Sequence, residues 1–235
     1  MKSGELVVFL KILKGDPSFR NTPFDPDKLF KLFQRHRLLP LASDLLPLLD
    51  QEIRKKWMVD IRQKTLRSLH LTARLGEITG RFEENEIQSI PLKGPLLAHR
   101  LFGSVSERHF SDLDILVPEG LIRKILLIME DQGFSLVSPK PGLSDRKWAY
   151  YVSHKKHFVM MNREEGFMTE LHTGINNRDI IPKEKEKDFW KNTVTVQLGE
   201  REYQCMDPEH TFLHLILHGG LHQYRRLLWL RDVAE

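Results

Sequence analysis

The stretch Ser111-Asp112-Leu113-Asp114-Ile115-Leu116-Val117-Pro118 sets two carboxylates one apolar residue apart at the head of an Ile-Leu-Val run. Such a run forms a strand, whose side chains alternate faces with a period of two, so Asp112 and Asp114 point the same way. Two anions a few Å apart on one face repel each other unless a divalent cation lies between them. Hard oxygen donors of this kind suit magnesium, which also takes oxygens from a substrate phosphate. The plain alternative is a solvated strand end or a turn entry, and context decides between the two.

The context upstream is a turn suited to phosphate. Glu86 to Leu92 reads as a short strand that runs into Lys93-Gly94-Pro95, and Pro95 to Phe102 reads as a helix. Glycine permits close backbone approach, proline is favoured in the first helical turn, and the free N–H groups there attract an anion. Gly103-Ser104 is a second possible frame for that turn. Arg108, in the loop Gly103 to Phe110, offers a planar fork that matches phosphate oxygens, or else clamps Asp112. Downstream, the strand Phe167 to Thr173 carries Glu170 and His172 on one face with Leu171 opposite. His172 could orient Glu170, touch substrate, or pack at the strand end.

The run Ile90-Pro91-Leu92-Lys93-Gly94-Pro95-Leu96-Leu97-Ala98, then Leu101-Phe102-Gly103, Arg108 and Ser111 to Pro118, closely resembles the uncharacterised bacterial nucleotidyltransferase family of the polymerase beta-like superfamily. The resemblance covers Ile87 to Pro118 well and continues more weakly to the C-terminus. It implies a Gly turn that holds a nucleoside triphosphate, and an Asp-x-Asp strand that binds two metal ions with a third carboxylate on a later strand. Carried onto this chain, Asp112, Asp114 and Glu170 are the expected catalytic and metal-binding residues. Lys93, Gly94, Arg108 and Ser111 are the expected nucleotide-binding residues, and His172 is a possible substrate contact. Two departures stand out: the superfamily's usual turn is Gly-Ser where this strand ends in Lys93-Gly94, and Glu170 stands where many relatives have Asp.

The elements that must position these residues fall into three regions. Residues 1–85 read as helical, with Leu6 to Leu13, Pro26 to Leu39 capped by Asp25, the short piece Ser43 to Leu49, and Asp50 to Phe82. Arg54, Lys55, Lys56, Arg62, Lys64 and Arg67 on the last helix read as a solvated face, with a substrate cleft as the alternative. Residues 86–206 read as the catalytic core. There Glu119 to Gln132 is an amphipathic helix closed by Gly133, and Phe134 to Val137, Ala149 to Ser153, His157 to Met161 and Phe167 to Thr173 are strands. Asn162 to Gly166 turns a hairpin between the last two, and Thr193 to Leu198 with Glu202 to Met206 forms another. Pro182 to Asn192 is a charged segment, most simply a solvated helix.

Residues 207–235 read as C-terminal helices, the first capped at Asp207-Pro208. It carries His210, His214, His218 and His222 at four-residue spacing, on one broad face. Histidines so spaced can ligate a transition metal, but His-Glu-x-x-His is absent, and packing or substrate contact fits better. The last helix, from Tyr224, reaches Glu235 without a stop signal, as expected of a short member or of a chain that continues.

The chain carries a net charge of +4 with both signs interspersed. That permits anionic ligands but shows no basic block of the kind nucleic acid needs. The single cysteine, Cys205, rules out an internal disulfide and fits a reducing compartment, so the expected location is cytoplasmic. No signal peptide or membrane span is expected. The expectation is an α+β polymerase beta-like core with a mixed β-sheet, flanked by an N-terminal helical region and C-terminal helices. The expected chemistry moves a nucleoside monophosphate from a nucleoside triphosphate, ATP foremost, to a hydroxyl of a small molecule or protein. It releases pyrophosphate and uses two Mg2+ ions, with Mn2+ as a possible substitute. The rival is an inactive nucleotide- or partner-binding module on the same fold.

Overall fold

The computed structural model describes residues 4–175, 181 and 186–235. A five-stranded mixed sheet sits at its centre, its strands in the spatial order 90–91, 112–116, 167–172, 157–162 and 134–138. The strands are β1 (Ile90–Pro91), β2 (Asp112–Leu116), β3 (Phe134–Ser138), β4 (His157–Asn162) and β5 (Phe167–His172). β2 runs parallel to β5, and the other neighbours are antiparallel. A separate hairpin pairs β6 (Thr193–Leu198) with β7 (Arg201–Met206). The expected α+β architecture with a mixed sheet is borne out.

The sheet has two unlike faces because each strand alternates. Leu113, Ile115, Phe158, Met160, Phe167 and Leu171 turn to one side and join a buried core with α3 (Gln51–Glu84) and α5 (Ile122–Asp131). Asp112, Asp114, Glu170, His172 and His157 occupy the alternate positions and line a cavity. Full burial of one large apolar side chain is worth about 1.5–3 kcal/mol. A one-residue slip would turn the core residues to the cavity and the carboxylates into the core, so the apolar set fixes the register of the acidic one.

Helix α3 spans 34 residues, roughly 51 Å at 1.5 Å per residue. Its second half contributes Leu71, Leu75, Ile78 and Phe82 to the sheet core. Its first half contributes Trp57 to another core, with Phe9 of α1 (Gly4–Leu13) and Phe30 and Phe33 of α2 (Pro26–His36). Asp25 caps α2, its side chain accepting from the Lys28 N–H at 3.1 Å. The C-terminal helices are α8 (Pro208–Leu221) and α9 (Leu227–Ala234). α9 returns to the N-terminal region, where Leu228 enters the Trp57 core. Among the described residues no helix is long and apolar enough to cross a membrane.

Several local expectations need correction. Ala149 to Ser153 is not a strand but lies within α6 (Asp145–Lys155). The aromatic and β-branched residues favoured strand, yet Trp148, Tyr151 and Val152 are spaced at three and four and pack one helix face on the sheet core. The strand expected from Glu86 starts only at Ile90, because Glu86 takes φ 59° as the chain leaves α3. The piece at Ser43 is part of a 3-10 segment, Leu39–Leu48. In the charged stretch, Glu186 is not solvated, since Lys156 Nζ donates to both of its carboxylate oxygens at 2.9 Å. Residues 182–185 lie outside the described residues, and α7 (Asp188–Lys191) follows.

Arg108 does not clamp Asp112. Its Nε and Nη2 each donate to Asp232 of α9 at 2.8 Å, with both side chains buried. This fork fastens the last helix to the loop before β2. Removing one partner of a buried pair strands the other charge. Asp232→Ala is therefore expected to cost about 3–5 kcal/mol in urea unfolding, and the double change Arg108→Met/Asp232→Leu to recover most of it. Equal stability of Asp232→Ala and parent would contradict this.

Candidate active site

The cavity on the polar face of the sheet measures about 630 Å³. Its floor is made by three strands. Parallel pairing sets Asp114 of β2 opposite Glu170 of β5, and antiparallel pairing sets His157 of β4 opposite His172. Asp112, two residues before Asp114, shares the face. The structure thus brings Asp112, Asp114, Glu170 and His172 together, as expected from the sequence.

Lys93 and Gly94 close one end of this floor. Gly94 has φ +68°, a conformation that side chains rarely adopt, and it begins α4 (Gly94–Phe102) with Pro95 in the first turn. Gly103 instead closes α4 at φ +73°, and Ser104 Oγ bonds Ser106, so that alternative frame does not open a helix. Lys93 Nζ lies 3.0 Å from Asp114 Oδ1 and also faces the His218 ring at 3.3 Å. Ser111 is exposed at the head of β2, with Oγ 3.5 Å from Asp112 Oδ1.

The electrostatics follow from burial and crowding. Burial raises the Asp112 pKa, and the Asp114 charge raises it further. Burial opposes ionisation of Asp114 too, but Lys93 and the His172 Nε2 contact at 3.1 Å outweigh it and hold that carboxyl well below the usual range. A hydrogen bond from His157 at 2.9 Å lowers the Glu170 pKa against burial and the nearby Asp114. Three carboxylates therefore share a partly dry surface, with one at odds with its neighbours. Carboxylates gathered in this way fit a divalent cation, for which Asp112, Asp114 and Glu170 could supply oxygen ligands.

Three contributions escaped the sequence reading. His157 joins the floor, and the hairpin signal could have found it: counting back from the closing pair Asn162–Phe167 brings His157 opposite His172. Arg37, at the left-handed C-cap of α2, lines the cavity, and Asp112 is the first of the anions acting on its guanidinium. Arg226, in the link between α8 and α9, lies over Trp229 at 5.5 Å and also faces the cavity. These arginines sit on the helical wall and the carboxylates on the sheet. No local pattern announces them, because Arg37 caps the end of one helix and Arg226 the start of another, and tertiary packing sets the direction of both.

The α8 histidines do not act as one cluster. His210 turns to its cap, Asp207, at 2.8 Å, whereas His214, His218 and His222 line the cavity. Burial and the Lys93 charge push the His218 pKa down to about 2, and His222 stacks on Trp229 at 5.0 Å. Among the described residues, the group close enough for joint metal ligation is instead His157, Glu170 and His172.

A family described as uncharacterised nucleotidyltransferase matches residues 22–235. The chain belongs to that family. No curated protein matches it. Among solved structures, it is similar to the solution structure of the antibiotic-resistance factor ANT(2'')-Ia, at 12% identity and a TM-score of 0.48, over 71% of this chain and 89% of that one. A likeness at that level carries no argument about the cavity. Membership of a nucleotidyltransferase family supports nucleotidyl transfer as the general activity, with a nucleoside triphosphate as substrate.

His214 gives a pH test of the cavity wall. Its two ring nitrogens are buried with no hydrogen-bond partner among the described residues, and burial pushes its pKa down to about 3 from 6.5. The imidazole stays neutral in the fold and takes up a proton on unfolding. Its share of stability is complete above about pH 6.5 and falls by up to about 1.4 kcal/mol per pH unit as pH drops toward the folded value. Denaturant unfolding at pH 7.5 and 5.5 is expected to show a smaller pH loss in His214→Leu than in the parent. Equal losses would contradict it.

Proposed function

We propose that this nucleotidyltransferase transfers a nucleoside monophosphate from ATP, or another nucleoside triphosphate, to a hydroxyl of a small molecule or protein with release of pyrophosphate. The observation that carries the reading is the convergence of Asp112, Asp114 and Glu170 on one cavity face, beside the Gly94 helix start. Asp112 and Asp114 would hold Mg2+, two ions or their Mn2+ equivalents, and the ions would supply charge neutralisation for the transferred phosphate. Glu170 completes the set and accepts the proton of the attacking hydroxyl. His172 orients Asp114, to which it lies at 3.1 Å. Gly94 lets the triphosphate approach the first turn of α4, and Lys93 exchanges Asp114 for phosphate oxygens. Arg37 and Arg226 receive the outer phosphates from the helical wall, where planar guanidinium forks match phosphate. Arg108 also lines the cavity, where its pairing with Asp232 supports this wall. The lone buried Cys205 and a nucleotide donor fit a cytoplasmic enzyme.

One observation favours the second reading, a binding module without turnover. The Lys93 ammonium already neutralises Asp114 at 3.0 Å, the place where a metal-holding carboxylate must be free. The two readings separate on product. An active enzyme releases pyrophosphate when an acceptor is supplied, and a module binds nucleotide without release.

Calorimetry with ATP, GTP, CTP and UTP, with and without magnesium, tests the donor side. Magnesium-dependent binding of at least one nucleotide is expected, and its loss in Asp112→Asn/Asp114→Asn; absence of binding to all four would sink the transferase reading. Arg37→Ala is expected to weaken triphosphate binding by about ten- to hundredfold, the worth of a hydrogen bond to a charged group, with little effect on a nucleoside monophosphate. Equal loss for both ligands would remove Arg37 from the phosphate wall.

A further inference from the structure

His157 and His172 are the members of the floor that a purely oxygen-based metal site does not require. His157 Nε2 lies 2.9 Å from Glu170 Oε2, and His172 Nε2 lies 3.8 Å from the same oxygen and 3.1 Å from Asp114 Oδ1. Ligand atoms of His157, Glu170 and His172 all fall within 4.8 Å of one another. At metal–ligand lengths of about 2.0–2.2 Å, neighbouring ligands of one ion stand roughly 3–3.6 Å apart, so these separations straddle the edges of a coordination polyhedron. The pairing of β4 with β5 sets the two histidines opposite each other, so the arrangement rests on sheet register and not on mobile loops.

We propose that His157, Glu170 and His172, with Asp114 at the edge of the set, form a site for a transition divalent cation of the zinc, manganese or cobalt class. Magnesium prefers oxygen and dehydrates reluctantly, whereas imidazole nitrogen suits transition ions. Two histidines and one carboxylate are also the ligand count of a metal site that keeps a position open to water or substrate. The cluster is half-buried and faces the cavity, which gives an ion a way in. Simple histidine–carboxylate hydrogen bonds account for each pair taken alone. A shared ion accounts as well for two imidazole nitrogens and one Glu170 oxygen lying within 4.8 Å of one another. The site extends the reading above, since Glu170 belongs to both, and it places a softer ion beside the Asp112–Asp114 pair.

The test is titration of metal-free protein with Co2+, followed by its visible d–d absorption, which reports ligand type without any turnover. The expected result is one equivalent bound with a nitrogen-ligand spectrum, displaced by Zn2+ and resistant to Mg2+ in large excess. His157→Gln keeps a donor for Glu170 but offers no imidazole, and it is expected to lower Co2+ affinity at least about tenfold while thermal unfolding of the metal-free protein stays close to the parent's. His172→Gln, tested the same way, should act alike. Absence of cobalt binding, displacement by equimolar Mg2+, or equal cobalt affinity in the parent and both variants would overturn the site. Nucleotide binding by the parent is measured separately. Cobalt bound without any nucleotide would retain this site and sink the transfer reading, and the converse would sink this site alone.

Discussion

The mutual repulsion of Asp112, Asp114 and Glu170 is the constraint on which this structure depends. Apolar side chains on the opposite face fix the strands in register, and that register forces the three carboxylates onto one surface. Burial adds a cost for every ionised group left without a partner. Lys93 and His172 offset it at one oxygen, Asp114 Oδ1, and His157 offsets it at Glu170 Oε2. A floor whose charge is balanced by exchangeable partners is poised to accept cations together with the anionic substrate that brings compensating ligands.

The helical regions complete the cavity from the other side. α3 ties the N-terminal core to the sheet core through one continuous helix, and α9 closes back on the N-terminal core through Leu228 and on the loop before β2 through the Arg108–Asp232 fork. Arg37 and Arg226 reach the cavity because of this closure. A boundary drawn at residue 85 separates elements in sequence, while packing shares α3 between the two cores. The acidic sheet and the basic helical wall face each other, an arrangement that suits a substrate with phosphates at one end and a reacting centre at the other.

What could be read from the sequence was local. The period-two pattern of β2 announced the face of Asp112 and Asp114, and Lys93-Gly94-Pro95 announced a helix start beside it. Asp25 and Asp207 announced their caps. The partner of Arg108 lies 124 residues away and left no pattern to follow. Parallel pairing of β2 with β5 is likewise non-local, so the placing of Asp114 opposite Glu170 required the fold, although the residue types suggested it. His157 was within reach through the hairpin count. Ala149 to Ser153 was misread because β propensity there is overridden by the packing of one helical face.

Anomalous diffraction from crystals grown with Mn2+ and a non-hydrolysable nucleoside triphosphate would test the central claim most directly. The account predicts manganese density against the carboxylates of Asp112 and Asp114, with the phosphates running between Gly94 and Arg37. Nucleotide bound away from this floor, or manganese absent from the Asp112–Asp114 pair while nucleotide is present, would contradict it.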